Sequence, residues 1–409
     1  MIRRVLLRFL QLYLFTLAVL LHAAMLYLYL AQPAMFWRVA DLIELSAPKI
    51  VTPEAAATTL LDDDIIQAEL ELVAGRWQPL ASERPDSTEG IWLDGVSYSS
   101  LTAAAKQLKD GSHLRLGAGI YRTALNIRQH DVVIEGVGHV VFERAVSDGK
   151  GAIVARGDNL TVKNVECRHI AVLSLNGACV RLEGRGLTLD HVYFHSSETG
   201  LLETARQHGH IVIRDSRFEN LASGARAHSI YLNSASLHLI DSVILANRNQ
   251  HSLKSRGPLT LIERSIIASL SAQNSRLIDL SNGGELYVSE SILQQGANAV
   301  NNQAIGFGLE GIKHPKNSIT LSNNVILLER HQSNVVLHTG THSPVLDITG
   351  NLIIGAKDNY PDNNQLADRQ SAAMPPAPAL PNVLCYLHLC QPDQAARLQP
   401  VANHDRKRS

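Results

Sequence analysis

Two short segments of this sequence carry side chains that could move a proton beside a bound carboxylate. Residues 228–233 read HSIYLN and residues 251–256 read HSLKSR, so the second segment places Lys254 and Arg256 where the first has a tyrosine and an asparagine. An arginine holds a carboxylate through two parallel hydrogen bonds, and a lysine beside another cation can lose its proton and act as a base. A tyrosine or histidine can protonate a leaving oxygen. The catalytic candidates are therefore Lys254, Arg256, Tyr231, His228 and His251.

The neighbouring segments predict which way these side chains point. One apolar position recurs in residues 228–233, 251–256, 276–281 and 303–308, and it is occupied by Ile230, Leu253, Ile278 and Ile305. Because successive side chains point to opposite faces of a strand, this inward column sends the alternate residues outward. The expected outward rows are Tyr231 with Lys254 and Asp279, and Asn233 with Arg256 and Ser281. His228 and His251 share the parity of the inward column and are expected at the strand starts, just inside the corner.

Small and polar residues beside this face predict a groove. Residues 279–284 (DLSNGG) and 306–311 (GFGLEG) place glycines next to the outward rows. The substrate-binding candidates are Asn233, Asp279, Asn282 and Glu310. A simpler interpretation also stands, in which Lys254 and Arg256 form a solvated face and Asp279 only pairs with Lys254, for about 0–1 kcal/mol. No histidine pair has the spacing of a metal site, so we expect no metal and no cofactor.

The elements that would position these residues are copies of one strand signature. The pattern apolar-x-apolar-x-polar-x-x-apolar starts at Val132, Leu160, Leu187, Ile211, Leu237, Leu259, Leu286, Ile319 and Val345. Each copy alternates with period two, meets a polar or glycine corner and continues into more strand. A two-residue hairpin cannot connect such strands, whereas a coil buries them all when each turn, or rung, stacks on the last. The pattern predicts such a coil, with a stacked β-sandwich as the alternative.

These repeats, over residues 95–355, resemble the right-handed parallel β-helix of pectate lyases, alginate and chondroitin lyases and mannuronan epimerases. The entry to the coil is also similar, because residues 99–109 predict an amphipathic helix that starts with serine. Residues 110–121 (DGSHLRLGAGIY) then look like the first-rung phrase of that superfamily. The resemblance implies an all-β fold, a right-handed parallel β-helix solenoid with an N-terminal capping helix, and the sequence adds a predicted N-terminal transmembrane helix.

The same resemblance implies a protein that acts on polysaccharides. The Lys254 and Arg256 pair is similar in role and location to the base and acid of alginate and chondroitin lyases, which favours a lyase that cleaves an acidic, uronate-containing exopolysaccharide by β-elimination. A uronate C5-epimerase shares the proton abstraction, and a non-catalytic protein that binds or guides an exported polysaccharide is a further alternative. A hydrolase would need two carboxylates, such as Asp279 and Glu310. The sequence lacks the calcium-binding cluster of the lyases, the Asp-rich signature of polygalacturonase-type hydrolases and the Asp-Pro-His-Asp signature of the epimerases.

The N-terminal residues 1–35 predict a membrane anchor. Arg3, Arg4 and Arg8 precede an uncharged stretch, and residues 9–31 are long enough to cross a bilayer, which takes ~20 apolar residues. This asymmetry predicts a single-pass protein of the bacterial inner membrane with its body in the periplasm, and secretion after signal cleavage is the alternative. The expected partners are the polysaccharide substrate, the inner membrane and exopolysaccharide assembly proteins. A net charge of -1 argues against a nucleic-acid partner.

The sequence predicts four regions. After residues 1–35 come a membrane-proximal helical or linker region (36–94), the β-helix (95–357) and a Pro-rich tail (358–409). In that tail, Cys385 and Cys390 could close a small disulfide loop if the compartment is oxidising. For Cys167 and Cys179, free thiols are an equally good interpretation.

Overall fold

The structure is a computed structural model, and it describes residues 53–81 and 90–381 except 206, 225 and 332, together with residues 13, 15–17 and 19. In the helix that starts at Pro53, side chains are described from residue 64 onward. The chain divides into two compact units, Met1–Asp63 and Asp64–Ser409. The second unit contains the coil.

The prediction of a transmembrane helix as part of the fold is wrong for the described part of the chain. None of the helices found there is long and apolar enough to cross a membrane. The longest helix among the described residues, α1 (Pro53–Ala74), carries Asp62, Asp63 and Asp64 in succession, and the hydrocarbon core of a bilayer excludes such a run of charges. Most of the predicted span, residues 9–31, lies outside the described residues.

The second unit is a parallel β-coil of about nine rungs, built from two long sheets. Sheet A consists of β1 (Ile91–Leu93), β2 (Val96–Tyr98), β3 (His113–Tyr121), β5 (Val133–Glu143), β7 (Leu160–Lys163), β8 (Glu166–Arg168), β10 (Leu187–Asp190), β11 (Tyr193–His195), β13 (His210–Arg214), β14 (Arg217–Glu219), β16 (Ser236–Ile240), β17 (Val243–Leu245), β19 (Leu259–Glu263), β20 (Ile266–Ala268), β22 (Glu285–Ser289), β23 (Ile292–Gln295), β25 (Ser318–Ser322), β26 (Val325–Leu328), β28 (Val345–Thr349), β29 (Leu352–Ile354) and β30 (Asn364–Leu366). Sheet B consists of β4 (Leu125–Ile127), β6 (Gly151–Ala155), β9 (Ala178–Leu182), β12 (Thr199–Glu203), β15 (Ile230–Leu232), β18 (Leu253–Ser255), β21 (Ile278–Leu280), β24 (Gln303–Phe307) and β27 (Val335–His338). A typical rung gives two strands to sheet A and one to sheet B.

The stacking of these strands confirms the predicted coil and excludes the β-sandwich. All nine copies of the strand signature fall on sheet A, and each pairs in parallel with the copies before and after it. Inward Leu, Ile, Val and Phe side chains fill the inside of the coil along its length. Because a coil rung cannot bury its apolar face alone, neighbouring rungs stabilise one another.

The register corrects the sequence prediction in two copies. Thr260, and not Leu259, lies opposite Leu237, and Leu346, and not Val345, lies opposite Ile319. A shift by one residue exchanges the two faces of a strand. Thr260 is thus fully buried, and its hydroxyl compensates by donating a hydrogen bond to Ser255 Oγ at 3.2 Å.

The polar corners of the repeat form a buried ladder between the two strands that each rung gives to sheet A. Its steps are side chains that accept the backbone N–H of the residue one rung earlier. They are Ser216, Ser242, Ser265, Ser291, Asn324 and Asn351. The residue before each step has a left-handed backbone, as at Asp241 with φ 48°. The corner therefore turns the chain while its hydrogen bonds stay satisfied inside the coil.

Two helices contact the coil. Ser100 caps α2 (Leu101–Ala105) by accepting the N–H of Ala103, which confirms the predicted serine start, although α2 is shorter than the predicted residues 99–109. Ile66 and Leu70 of α1 pack against apolar residues of sheet A and its corners, including Leu245.

One disulfide is present among the described residues. Cys167 of β8 and Cys179 of β9 are bonded, with their Cα atoms 5.8 Å apart. Of the two interpretations left open for this pair, the bonded one is therefore found. Cys385 and Cys390 lie outside the described residues.

Candidate functional site

Sheet B positions the predicted site in the register that the sequence indicated. Ile230, Leu253, Ile278 and Ile305 pair in succession and are all fully buried. Tyr231, Lys254 and Asp279 are therefore neighbours in the next column, on the outer face of the sheet. Adjacent strands lie ~4.8 Å apart, so side chains of this column can share a ligand.

Lys254 and Arg256 both donate hydrogen bonds to the carboxylate of Glu310, each to a different oxygen. Lys254 Nζ donates to Glu310 Oε1 at 2.6 Å, and Arg256 donates to Glu310 Oε2 through Nε at 3.0 Å and a terminal nitrogen at 2.5 Å. Burial raises the pKa of Glu310, but the hydrogen bonds from Lys254 and Arg256 outweigh it and lower the pKa to about 2. Glu310 is therefore a permanent anion at neutral pH, and the two cations form a carboxylate-binding fork.

Tyr231 lies next to this fork. The guanidinium carbon of Arg256 is 5.1 Å from the centre of the Tyr231 ring, within the range of a cation–π contact. Within the part of the chain that the structure describes, the Tyr231 hydroxyl makes no hydrogen bond. It is thus free to bind a ligand held at the fork.

His228 and His251 are nearly buried at the strand starts, as predicted. Nδ1 of His228 accepts the backbone N–H of His251 at 3.2 Å, and Nδ1 of His251 accepts that of Arg276 at 3.3 Å. A neutral ring in this arrangement carries its proton on Nε2. Burial, followed by neighbouring positive charge including Lys254, lowers the pKa of both histidines to about 3. They are neutral hydrogen-bond donors and weak proton acceptors.

Asp279 is on the outer side of its strand but is not exposed. Only 3% of its surface is accessible. Its Oδ2 accepts the Ser281 hydroxyl at 2.5 Å, and Arg276 donates to Oδ1 at 3.4 Å. Lys254 Nζ lies 3.9 Å from Oδ2. Asp279 is therefore not exposed for substrate binding, although this was expected. Its buried carboxylate instead lies next to the Lys254 side-chain nitrogen.

The two asparagine candidates bind backbone atoms. Asn233 Nδ2 donates to the carbonyl of Ala205 at 3.0 Å. Asn282, 2% exposed, donates to the carbonyl of Gly311 at 3.1 Å. Asn282 therefore fixes the loop that carries Glu310, rather than facing the groove.

Arg276 is a residue of this site that the sequence prediction missed. It aligns with His228 and His251 at the strand start, and it donates to Gln303 Oε1 at 3.2 Å as well as to Asp279. Its Nε is buried and has no hydrogen-bond partner. The sequence feature that could have identified Arg276 is its position in the same column as His228 and His251. Residues of this parity are otherwise mostly apolar, so a third polar side chain there was informative.

Gly306 explains how Arg276 reaches its position. A Cβ at residue 306 would lie 2.7 Å from Asp279 Oδ1 and 3.0 Å from Arg276 Cδ. Only glycine leaves room for these two side chains above the strand. Among the described residues, no group of three His, Cys, Asp or Glu side chains is arranged to hold a metal ion.

The chain was compared with models of protein families, with curated proteins and with solved structures, and none of the three comparisons found a match. The coil itself is a parallel β-solenoid, an architecture consistent with proteins that act on polysaccharides. Fold alone does not assign a function, whereas the side chains of sheet B carry specific chemistry.

Proposed function

We propose that this protein binds an acidic, uronate-containing exopolysaccharide along the outer face of sheet B and cleaves it by β-elimination. One observation carries the proposal: Lys254 and Arg256 hold the Glu310 carboxylate between them beside a free Tyr231 hydroxyl. A sugar carboxylate has the same two oxygens and the same charge as Glu310. It can take the place of Glu310 on the fork, because the Glu310 side chain is 42% exposed and sits on a loop.

The three requirements of β-elimination can be assigned to these residues. Arg256 binds and neutralises the uronate carboxylate, which makes the neighbouring C–H more acidic. Lys254, separated from Glu310 by the substrate, removes that proton as a neutral amine. As the double bond forms and the glycosidic C–O bond breaks, the Tyr231 hydroxyl protonates the leaving oxygen. The neutral histidines supply Nε2–H donors to the sugar hydroxyls.

A non-catalytic polysaccharide-binding protein is the second candidate, and a specific observation favours it. The charged groups paired with Lys254 are the carboxylates of Glu310 and Asp279, whereas a catalytic base would be helped by a neighbouring cation. In the present arrangement Lys254 pairs with carboxylates, which suits carboxylate binding. This function needs no proton transfer.

The test is to mix the purified protein with several uronate polymers and follow three readouts. A lyase produces unsaturated uronate, which absorbs near the ultraviolet edge. An epimerase changes the ratio of uronates without creating new chain ends, and a binding protein retains polymer and changes neither. We expect Lys254→Ala and Arg256→Ala each to abolish turnover while the thermal melt stays nearly unchanged. Lys163→Ala and Arg214→Ala, on sheet A, are the matched controls, and full activity of both sheet B variants would refute the site.

We further propose that the protein works outside the cytoplasm, beside exopolysaccharide assembly proteins. The disulfide between Cys167 and Cys179 supports this location, because disulfides persist in oxidising compartments. Cell fractionation combined with thiol labelling tests it. A reduced pair in a cytoplasmic fraction would contradict the proposal.

A further inference from the structure

Arg181 lies on the same face of sheet B as the carboxylate fork, but in an earlier rung. Its position in β9 pairs with Leu202 of β12, which pairs with Tyr231, which in turn pairs with Lys254. Three strand spacings of ~4.8 Å separate Arg181 from Lys254, or about 14 Å along the coil axis. Tyr231 stands between the two positive charges.

Within the described part of the chain, the guanidinium of Arg181 is attracted by the charge of Glu183 alone. It makes no hydrogen bond and no ion pair there, and its Nε is buried without an acceptor. The residues beside it in the column, Val154 and Leu202, are buried and apolar. The carboxylate of Glu183, two residues further along, is already engaged by Lys150 at 2.5 Å and by Arg156 at 3.0 Å.

Such an arrangement costs stability. A charged group that is partly removed from water loses solvation, and without a hydrogen bond or a close ion pair it recovers little of that loss. Burial accordingly lowers the pKa of Arg181, and the charge of Glu183 opposes this shift only in part. Most arginines on the other sheet are paired, for example Arg214 with Asp190 at 2.9 Å. An anion bound at Arg181 would offset this cost.

We propose that Arg181 is a second carboxylate-binding subsite, so that an acidic glycan lies along the coil axis with one carboxylate at Arg181 and another at Lys254 and Arg256. The inference rests on the proposed function and extends it from a single sugar to a chain. It predicts that affinity grows with chain length until both cationic points are occupied. Short oligomers occupy only the fork.

The experiment compares Arg181→Gln with the wild type in binding to acidic di- and hexasaccharides of galacturonate, glucuronate and mannuronate. A neutral hexasaccharide and inorganic phosphate serve as ligand controls. We expect Arg181→Gln to weaken hexasaccharide binding about tenfold, as for a lost charge-assisted hydrogen bond, and to leave disaccharide binding unchanged. Arg181→Lys should retain part of the higher affinity for the hexasaccharide over the disaccharide. Arg214→Gln, on sheet A, should retain all of it. If the oligomers are cleaved, KM replaces Kd as the readout.

The thermal melt separates this role from a structural one. Because Arg181 is unpaired, Arg181→Gln should keep or raise Tm, whereas a structural arginine would lower it. Unchanged hexasaccharide binding in Arg181→Gln, with binding lost in Lys254→Ala, overturns the subsite and leaves the proposed function standing. A lowered Tm with equal losses for both oligomers, or a phosphate affinity that matches the hexasaccharide, also overturns the subsite. A wild type that binds no acidic oligomer overturns the proposed function and this inference with it.

Discussion

The imidazole ring of His228 lies parallel to that of His251, with ring centroids 5.3 Å apart and planes 8° from parallel. Each Nδ1 is occupied by a backbone N–H of the next rung. Protonation would place two positive charges face to face, close to Lys254 and Arg276. The stack therefore depends on both rings being neutral, and this links the stability of the site to pH.

The first prediction concerns stability between about pH 7 and about pH 5. The ordinary histidine pKa of 6.5 applies to the unfolded chain, and the folded values are about 3. In this interval the unfolded state binds more protons, so the free energy of unfolding falls as pH falls, by about 2 kcal/mol per histidine at about pH 5. Urea unfolding at each pH measures this dependence.

A double variant provides the control for the first prediction. His228→Asn with His251→Asn keeps a side-chain acceptor for the backbone N–H groups but cannot titrate. Its stability should depend less on pH than that of the wild type in the same interval. Glu310 and Glu166, whose pKa values are about 2 in the fold, lose their contribution only at lower pH. Equal pH dependence in the two proteins would contradict the neutral stack.

The second prediction concerns Glu310 as an internal competitor of the ligand. Glu310→Gln removes the anion that now occupies the fork, while the loop stays anchored by Asn282. We expect acidic oligosaccharides to bind about fivefold more tightly, the scale of a partly exposed ion pair. Calorimetric titration measures the change, with a neutral oligosaccharide as control. Weaker binding would show instead that Glu310 contacts the sugar directly.

The repeated coil and the orientation of the fork could be predicted from sequence. Period-two alternation with one buried side fixes the register of a strand, so the column from Ile230 to Ile305 defined where Lys254 points. The two register errors, at Leu259 and Val345, have a local cause. Leucine or valine stands one position before the inward residue, and Thr260 satisfies its hydroxyl only through Ser255 on a preceding strand.

What the sequence could not give were contacts between distant segments. Glu310 reaches Lys254 across 56 residues, through a loop with no strand period. The burial of Asp279 depends on Arg276 packing over Gly306, where a larger residue would not fit. The alternation of apolar and polar residues along the strand does not reveal such packing. Arg181 was missed because strand periodicity carries no information about pairing. Arg181 stands out only because its guanidinium makes no hydrogen bond or ion pair among the described residues.

The third prediction concerns the disulfide. Cys167 and Cys179 are 12 residues apart and both are buried, so the bond restricts the unfolded chain. Reduction should lower the free energy of unfolding by about 3 kcal/mol. The double variant Cys167→Ala with Cys179→Ala should be less stable than the oxidised wild type and should not respond to reductant through this pair. A wild type whose urea midpoint is the same with and without reductant would argue against the bond.

The fourth prediction concerns the buried ladder at the corners of sheet A. Asn324 is fully buried, its Oδ1 accepts the N–H of Ser291 at 3.0 Å, and its Nδ2 donates to Val288 O at 2.8 Å and to Asn351 at 2.9 Å. Asn324→Ala leaves these buried groups without partners, so the free energy of unfolding should fall by about 3 kcal/mol.

Ser322→Ala is the matched control for the ladder. Ser322 is the last residue of β25, two residues before Asn324, and its side chain points outward and is partly exposed. Its removal should change the free energy of unfolding by less than about 0.5 kcal/mol. Urea unfolding of both variants, followed by circular dichroism, compares the buried corner with the exposed end of the strand before it. A loss at Asn324 no larger than that at Ser322 would mean that the apolar columns alone hold the rungs in register. A large loss would show that the polar corners, which interrupt every copy of the repeat, stabilise the coil as strongly as a buried leucine.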